Sequence, residues 1–195
     1  MKQQGRIGFG FCGSYCTYAQ AMQALEEVAE GWEEVIPIVA DSGAITDTRF
    51  GEAAMWLSRM EEICGRKPLI SVKEVEPIGP KKPLDALVIC PCTGNTLGKL
   101  AHGIADTSVT MAVKSHLRNG RPVVLAVSTN DGLGAAAENI GKLLSRRDIY
   151  FVPFGQDDPE GKPRSLVADF GQVSETLAAA LAGRQIQPLL LGQKP

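Results

Sequence analysis

The sequence of 195 residues lacks several features that would assign it to a class of protein at once. It has no apolar run of the roughly 18–20 residues that a membrane-spanning helix needs. Its net charge is only −2, whereas a domain that binds nucleic acid usually carries a basic face. Residues 1–5 do not form the apolar stretch of a secretory signal. We therefore expect a cytoplasmic protein with neither a membrane segment nor a nucleic-acid partner.

The five cysteines also lack the spacing of a structural zinc site. Such a site usually needs two Cys-x-x-Cys pairs on turns, but Cys12 and Cys16 are four residues apart and Cys90 and Cys92 are two apart. We expect reduced, buried thiols and no bound metal. A redox or metal role for Cys12, Cys16 and Cys92 stays open, because all three fall at the ends of two predicted strands.

What the chain does contain is a regular alternation of buried-strand and helix patterns. The predicted strands are residues 6–11, 34–40, 69–75, 84–90, 122–127 and 149–153. The predicted helices are residues 18–29, 51–64, a helix after residue 93 that breaks near 106–108 and resumes at 111–117, 133–145 and 166–182. This alternation predicts a three-layer, doubly wound parallel α/β sheet of the flavodoxin or Rossmann type. No repeat or linker divides the chain, so we expect residues 1–195 to form one domain.

The first strand-to-helix corner suggests one kind of ligand. Residues 8–13 match the pattern Gly-x-Gly-x-x-Gly, and Asp41 after the second strand could hold a ribose, as in nicotinamide-binding proteins. Gly8 and Gly10 also lie inside a hydrophobic run, where they would be strand glycines rather than turn glycines. The pattern alone therefore leaves a nicotinamide cofactor as one alternative.

The corner after the predicted strand 84–90 suggests another ligand. Residues 91–106 read PCTGNTLGKLAHGIAD, a run of small and hydroxyl residues that opens a helix. Free N–H groups and the positive end of the helix dipole make such a corner a site for phosphorylated ligands. Gly94 would let the backbone approach a ligand closely. Without a ligand, Thr93 or Asn95 would simply cap the helix and Lys99 would face solvent.

This second corner resembles the Pro-Ala-Ser-Ala-Asn-Thr…Lys…Ala-x-Gly-Ile-Ala-Asp motif of the flavin-dependent cysteine decarboxylase (HFCD) flavoprotein family. The resemblance implies a flavoprotein fold with FMN rather than a nicotinamide. It also covers the Gly-Ser that follows the first strand, and it implies a further phosphate contact after the second strand. Carried over by position, the implied cofactor-binding residues are Gly13, Ser14, Ser42, Thr93, Gly94, Asn95, Thr96 and Lys99.

The chain differs from the decarboxylases of this family at the positions where those proteins contact their substrate. Asn130 matches the asparagine of their Pro-x-Met-Asn-x-x-Met-Trp segment, but the methionine and the Met-Trp pair are absent. Their active-site histidine is also missing from residues 75–79. The only histidines are His102 and His116, which we expect on helix faces, the latter exposed, in structural or solvated roles. Oxidative decarboxylation of a peptidyl cysteine is therefore not expected.

A narrower resemblance, to the family of dipicolinate synthase B subunits, extends over the whole chain. It is carried by the unusual loop strings 46–53, 74–80, 121–131 and 149–157. It implies that the chain acts with an A subunit, itself a nicotinamide-binding protein, to oxidise a dihydrodipicolinate-level heterocycle to dipicolinate in the mother cell of a sporulating bacterium. HFCD proteins commonly form trimers or multiples of trimers, which implies a homo-oligomer.

A substrate with two carboxylates needs a cationic clamp. Arg49, in the polar segment 41–50, is the first candidate because arginine binds carboxylates in a bidentate manner. Asn130 could hold a carboxylate or the flavin ring edge, so these two are the predicted catalytic residues. Lys99 and Arg164 are weaker candidates for the clamp. The candidates for a general base, none of which stands out, are Glu74, Glu76, Asp131 and Tyr15. A nicotinamide-dependent dehydrogenase and a non-catalytic partner that stabilises the A subunit remain alternative functions.

Overall fold

Five strands form the parallel part of the sheet in the structure, a computed structural model that describes residues 2–192. They are β1 (Gln3–Phe11), β2 (Trp32–Val39), β3 (Ala86–Cys92), β4 (Val123–Thr129) and β5 (Ile149–Phe151). Their spatial order is β2-β1-β3-β4-β5, which is the flavodoxin-like order. Every residue of β3 is buried, as expected for a parallel strand that helices cover on both faces.

The helices lie in two layers on the faces of this sheet. They are α1 (Tyr18–Gly31), α2 (Asp41–Ile45), α3 (Ala53–Cys64), α4 (Val72–Val75), α5 (Ile78–Lys81), α6 (Gly94–His102), α7 (Ser108–Leu117), α8 (Ala136–Leu144) and α9 (Val173–Leu181). Helix α1 packs against α9, whereas α6 packs against α7 and α8. The predicted doubly wound α/β fold is confirmed. Within residues 2–192, no helix combines the length and the apolar character needed to cross a membrane.

Two short strands, β6 (Phe154–Gly155) and β7 (Leu166–Ala168), add an antiparallel hairpin to the sheet. Strand β7 pairs with the carboxyl end of β4, with Val167 opposite Ser128. The sequence-based prediction of a helix over 166–182 is therefore wrong at its beginning. The Asp169 carboxylate accepts a hydrogen bond from Gly171 N and starts a 3₁₀ turn, so α9 begins only at Val173.

The strand predicted at 69–75 is also wrong. Only Leu69 bridges to the sheet, opposite Ile38. The Ser71 hydroxyl then accepts a hydrogen bond from Glu74 N, while the Glu74 carboxylate accepts one from Ser71 N. This capping box starts α4, and its Ser-x-x-Glu signature could be recognised in the sequence.

His116 lies on α7 and is buried, not exposed as predicted from the sequence. Its Nε2 donates a hydrogen bond of 3.2 Å to the carbonyl oxygen of Pro122. Burial lowers the pKa of His116 to about 4, so the imidazole is neutral at physiological pH. The other predicted elements are present, with ends that differ by a few residues.

Candidate cofactor site at the carboxyl ends of the strands

An open cavity of about 1060 Å³ lies at the carboxyl edge of the sheet, where β1 and β3 are neighbours. In the flavodoxin-like strand order this is the switch point, where the connections leave toward opposite faces and a crevice opens. The segment after β1, the corner after β3 and the end of β4 form three of its walls. Ligand pockets commonly occupy about 300–1,000 Å³, so the cavity can take a cofactor together with a small substrate.

Three hydroxyl groups from two distant parts of the chain meet in this cavity. Ser14 Oγ lies 2.9 Å from Ser128 Oγ, and Thr17 Oγ1 lies 3.4 Å from Ser128 Oγ. Thr17 Oγ1 also donates to the Ser14 carbonyl oxygen at 2.9 Å. Because a hydroxyl can rotate to donate or to accept, this cluster can turn its hydrogens toward an anionic oxygen.

The corner after β3 supplies backbone donors. Thr93 is the N-cap of α6, since its Oγ1 accepts a hydrogen bond of 3.2 Å from Thr96 N. The first N–H groups of a helix have no partner inside the helix, and this cap satisfies only that of Thr96. Those of Gly94 and Asn95 have no protein acceptor within residues 2–192. They are therefore free to bind a ligand at the positive end of the helix dipole.

Gly94 is required for a different reason from the one predicted. A Cβ at this position would lie 2.7 Å from Thr129 Oγ1 on β4. The glycine thus lets α6 approach the neighbouring strand. This contact explains the glycine without a ligand. Gly13 has more room, since the nearest atom to an added Cβ there, Ser42 Oγ, is 3.7 Å away.

Seven of the ten site residues predicted from the sequence line the cavity: Gly13, Ser14, Arg49, Thr93, Gly94, Asn95 and Asn130. The other three do not. Thr96 is buried, with its Oγ1 accepting a hydrogen bond from Thr93 Oγ1. The Lys99 ammonium forms an ion pair of 2.8 Å with Asp106. Ser42 is exposed outside the cavity, and its carbonyl oxygen accepts a hydrogen bond from Tyr15 Oη.

Several residues that line the cavity were not predicted from the sequence. These are Thr17, Ser128, Asn139, Asp157, Lys162 and Ser165. The sequence could have indicated Ser128, because it lies at the end of a predicted strand, two residues before the predicted site residue Asn130. The sequence could not have indicated Lys162, because the β6–β7 hairpin that brings it to the cavity was not predicted. Of the suggested bases, Tyr15 and Asp131 line the cavity, whereas Glu74, Glu76 and the clamp candidate Arg164 do not.

Two cations and two carboxylates line the cavity. The Arg49 guanidinium lies over the Phe50 ring, 4.8 Å from its centre, and has no ion-pair partner in the described part of the chain. Lys162 Nζ lies 3.2 Å from Asp157 Oδ2. Burial raises the pKa of Asp157, but hydrogen bonds from Ser165 and Lys162 outweigh it and the pKa is lowered. Asp157 is therefore ionised at neutral pH.

The cysteines divide into buried and accessible thiols. Cys12, Cys90 and Cys92 are buried, and burial raises the pKa of Cys12 to about 11. The expectation of a buried thiol is wrong for Cys16, which is exposed at the cavity wall. Among residues 2–192, no group of three or more histidine, cysteine, aspartate or glutamate side chains is arranged to hold a metal ion.

The glycine pattern of the first corner does not form a dinucleotide loop. Gly8 and Gly10 both lie inside β1. An added Cβ would meet Leu87 Cδ1 at 2.6 Å from Gly8, and Ile89 Cδ1 at 2.7 Å from Gly10. These glycines therefore lie in the strand and leave room for side chains from β3, which argues against the nicotinamide alternative. Asp41 begins α2, where its Oδ1 accepts a weak hydrogen bond of 3.4 Å from Ser108 N.

Comparison with known proteins identifies the family of this chain. The family model described as Flavoprotein matches residues 1–177. The dipicolinate synthase B subunit of Bacillus subtilis (strain 168) is 46% identical over 186 residues, which cover 95% of this chain and 93% of that protein. The crystal structure of the dipicolinate synthase B subunit from Bacillus halodurans C is 43% identical, with a TM-score of 0.90 and all of both chains covered. The fold is also similar to that of the FMN-dependent cysteine decarboxylase SpaF, with a TM-score of 0.64, 24% identity, and 91% of this chain and 97% of that one covered. The chain therefore belongs to the flavoprotein family.

Proposed function

We propose that this chain is an FMN-binding subunit of a dipicolinate synthase. In this proposal it acts with an A subunit to oxidise a dihydrodipicolinate-level heterocycle to dipicolinate. Identity of 46% to a named B subunit supports the assignment. The observation that carries the flavin is the meeting of the Ser14 and Ser128 hydroxyls with the free N–H groups of Gly94 and Asn95 in one crevice.

The donors in this crevice suit a phosphate monoester. Each anionic oxygen accepts several hydrogen bonds, and the hydroxyl and backbone N–H groups can provide them. The beginning of α6 adds the positive end of its helix dipole. SpaF, whose fold is similar, is FMN-dependent by name. We therefore place the FMN phosphate between Ser14 and the first turn of α6.

Aromatisation of the substrate ring removes a hydride equivalent and a proton. Bound FMN supplies a two-electron acceptor for the hydride. In our proposal Arg49 binds one substrate carboxylate and Asn130 orients the ring. Asp131 is the suggested carboxylate base that lines the cavity, and its Oδ2 is held by a hydrogen bond of 3.0 Å from Ala135 N. It would receive the proton that leaves the ring carbon.

The first test is the visible spectrum of the purified protein. Flavin absorption in the near-ultraviolet and blue is expected in the wild type and in the control S58A, since Ser58 lies on the exposed face of α3. The double variant S14A/S128A should bind FMN at least about tenfold more weakly, because each hydrogen bond to a charged group contributes about 1.5–3 kcal/mol. Wild-type affinity in the double variant would contradict the placement of the phosphate.

The second test concerns the reaction. Turnover to dipicolinate is measured with both subunits and with each one omitted. We expect turnover only when both are present and FMN is bound. Full turnover by the A subunit alone would assign this chain a non-catalytic role. We further propose, on the resemblance to sporulation proteins and HFCD proteins, a cytoplasmic location in the mother cell and assembly as a trimer or a multiple of trimers.

A further inference from the structure

The β6–β7 hairpin fixes the loop 156–165 against the cavity. Leu166 on β7 pairs with Thr129 at the end of β4. An added Cβ at Gly132 would lie 2.5 Å from Leu166 Cγ, so the turn after β4 packs directly on the hairpin. Leu133 N also donates a hydrogen bond of 3.0 Å to the carbonyl oxygen of Arg164. The loop is therefore held at the wall formed by the end of β4.

Hydrogen bonds inside the loop fix the position of Lys162. Its backbone N donates to the Asp158 carbonyl oxygen at 2.7 Å, and its own carbonyl oxygen accepts from Ser165 N at 2.9 Å. The side chain then extends along the cavity wall and its ammonium reaches Asp157. The hydrogen bond to Asp157 raises the pKa of Lys162, so this cation stays charged at neutral pH.

Arg49 and Lys162 are the two cationic residues that line the cavity in the described structure. They come from opposite sides of the switch point. Arg49 follows β2, which lies beyond β1, whereas Lys162 belongs to the hairpin that lies beyond β4. Arg49 lacks a carboxylate partner there, and Lys162 has one, Asp157, which is itself part of the wall.

We propose that Lys162 determines the specificity of this site for a dicarboxylate. One carboxylate of the ligand binds Arg49, and the other takes the place of Asp157 at the Lys162 ammonium. This inference rests on the proposed function for the identity of the ligand, a pyridine-type ring with carboxylates on both sides. No bond is made or broken in this step, since one ion pair replaces another.

An exchange of ion-pair partners at Lys162 can be distinguished from a purely structural ion pair by the effects of two variants on dicarboxylate binding. If Asp157 competes with the ligand, D157N should free Lys162 and tighten dicarboxylate binding, whereas K162M should weaken it. If the pair only holds the loop in place, both variants should weaken binding. E61Q serves as the charge-matched control for D157N, because Glu61 is exposed on α3 and does not line the cavity.

The test is calorimetric titration of the full-length protein, with and without bound FMN. The probes are pyridine-2,6-dicarboxylate and pyridine-2-carboxylate. K162M should weaken binding of the dicarboxylate about tenfold, in line with the loss of one charge-assisted hydrogen bond, and should change binding of the monocarboxylate less than about twofold. K162R should restore most of the affinity. The control K114M removes an exposed lysine of α7 and should change neither.

Several results would overturn the inference. These are equal affinity of K162M and wild type for the dicarboxylate, equal affinity of the wild type for the two probes, and a loss of affinity in D157N. Loss of FMN instead of dicarboxylate binding in K162M would assign the ammonium to the cofactor phosphate and would also overturn it. A wild type that binds the dicarboxylate but no flavin would contradict the proposed function while leaving the role of Lys162 intact.

Discussion

The buried histidine of α7 should make the stability of this protein fall steeply below neutral pH. His116 is 1% exposed, and burial lowers its pKa to about 4, from 6.5 in the unfolded chain. Above about pH 7.5 the imidazole is neutral in both states and contributes almost no pH dependence. As the pH falls from 6.5 toward 4, the unfolded chain binds a proton that the folded chain excludes. The free energy of unfolding therefore decreases.

The size of this effect follows from the two pKa values. One pKa unit corresponds to about 1.4 kcal/mol. The loss of unfolding free energy from His116 should be about 1 kcal/mol at pH 5.5 and about 2–3 kcal/mol at pH 4.5. Well below pH 4 it should level off at about 3–4 kcal/mol, since both states are then protonated.

The assay is urea unfolding of the wild type, H116Q and H102Q at a series of pH values from 7.5 to about 4.5. Glutamine keeps an N–H for the Pro122 carbonyl oxygen but has no proton to gain in this range. H116Q should be less stable than the wild type at pH 7.5, because the core packing changes, and the difference should shrink as the pH falls. The control H102Q replaces the exposed histidine and should follow the wild type throughout. A constant difference between H116Q and the wild type at every pH would refute the reasoning.

Two further predictions concern the site itself. G94A should destabilise the fold by about 1–3 kcal/mol and lower FMN occupancy, because the new Cβ would meet Thr129 Oγ1 at 2.7 Å. The double variant G94A/T129A should recover both the stability in urea and the flavin absorbance. A double variant without recovery would contradict the steric explanation. In thiol titration of the native chain, Cys16 should react first, since it is exposed while burial raises the pKa of Cys12 to about 11 and that of Cys64 to about 12. C16S should abolish the fast phase; its persistence would mean that another thiol is accessible in solution.

Membership of the flavoprotein family could be recognised from local sequence. The corner at residues 93–96 combines a capping threonine with small residues after a buried strand, and both properties depend on neighbours in the chain. The alternation of strand and helix patterns likewise follows from the spacing of apolar residues. The strand predicted at 69–75 was wrong because the Ser71–Glu74 capping box, also local, stabilises a helical turn there.

Contacts between distant segments could not be predicted in this way. Ser14 and Ser128 are 114 positions apart, and they meet only because β1, β3 and β4 are neighbours in the sheet. The reason for Gly94 lies in Thr129 on another strand, so the local pattern suggested a ligand contact instead. The burial of His116 depends on packing between α7 and the sheet, which a single amphipathic pattern does not resolve.

The sequence by itself determined the five parallel strands and the main helices between them, the flavodoxin-like class and the hydroxyl-rich corner, because each depends on residues a few positions apart. The tertiary structure decided which side chains surround that corner. It alone brought Lys162 to the cavity, because the three residues of β7 form a strand only when β4 provides partners for their hydrogen bonds. The charge pattern of the site thus depends on strand pairing, which the local sequence does not encode.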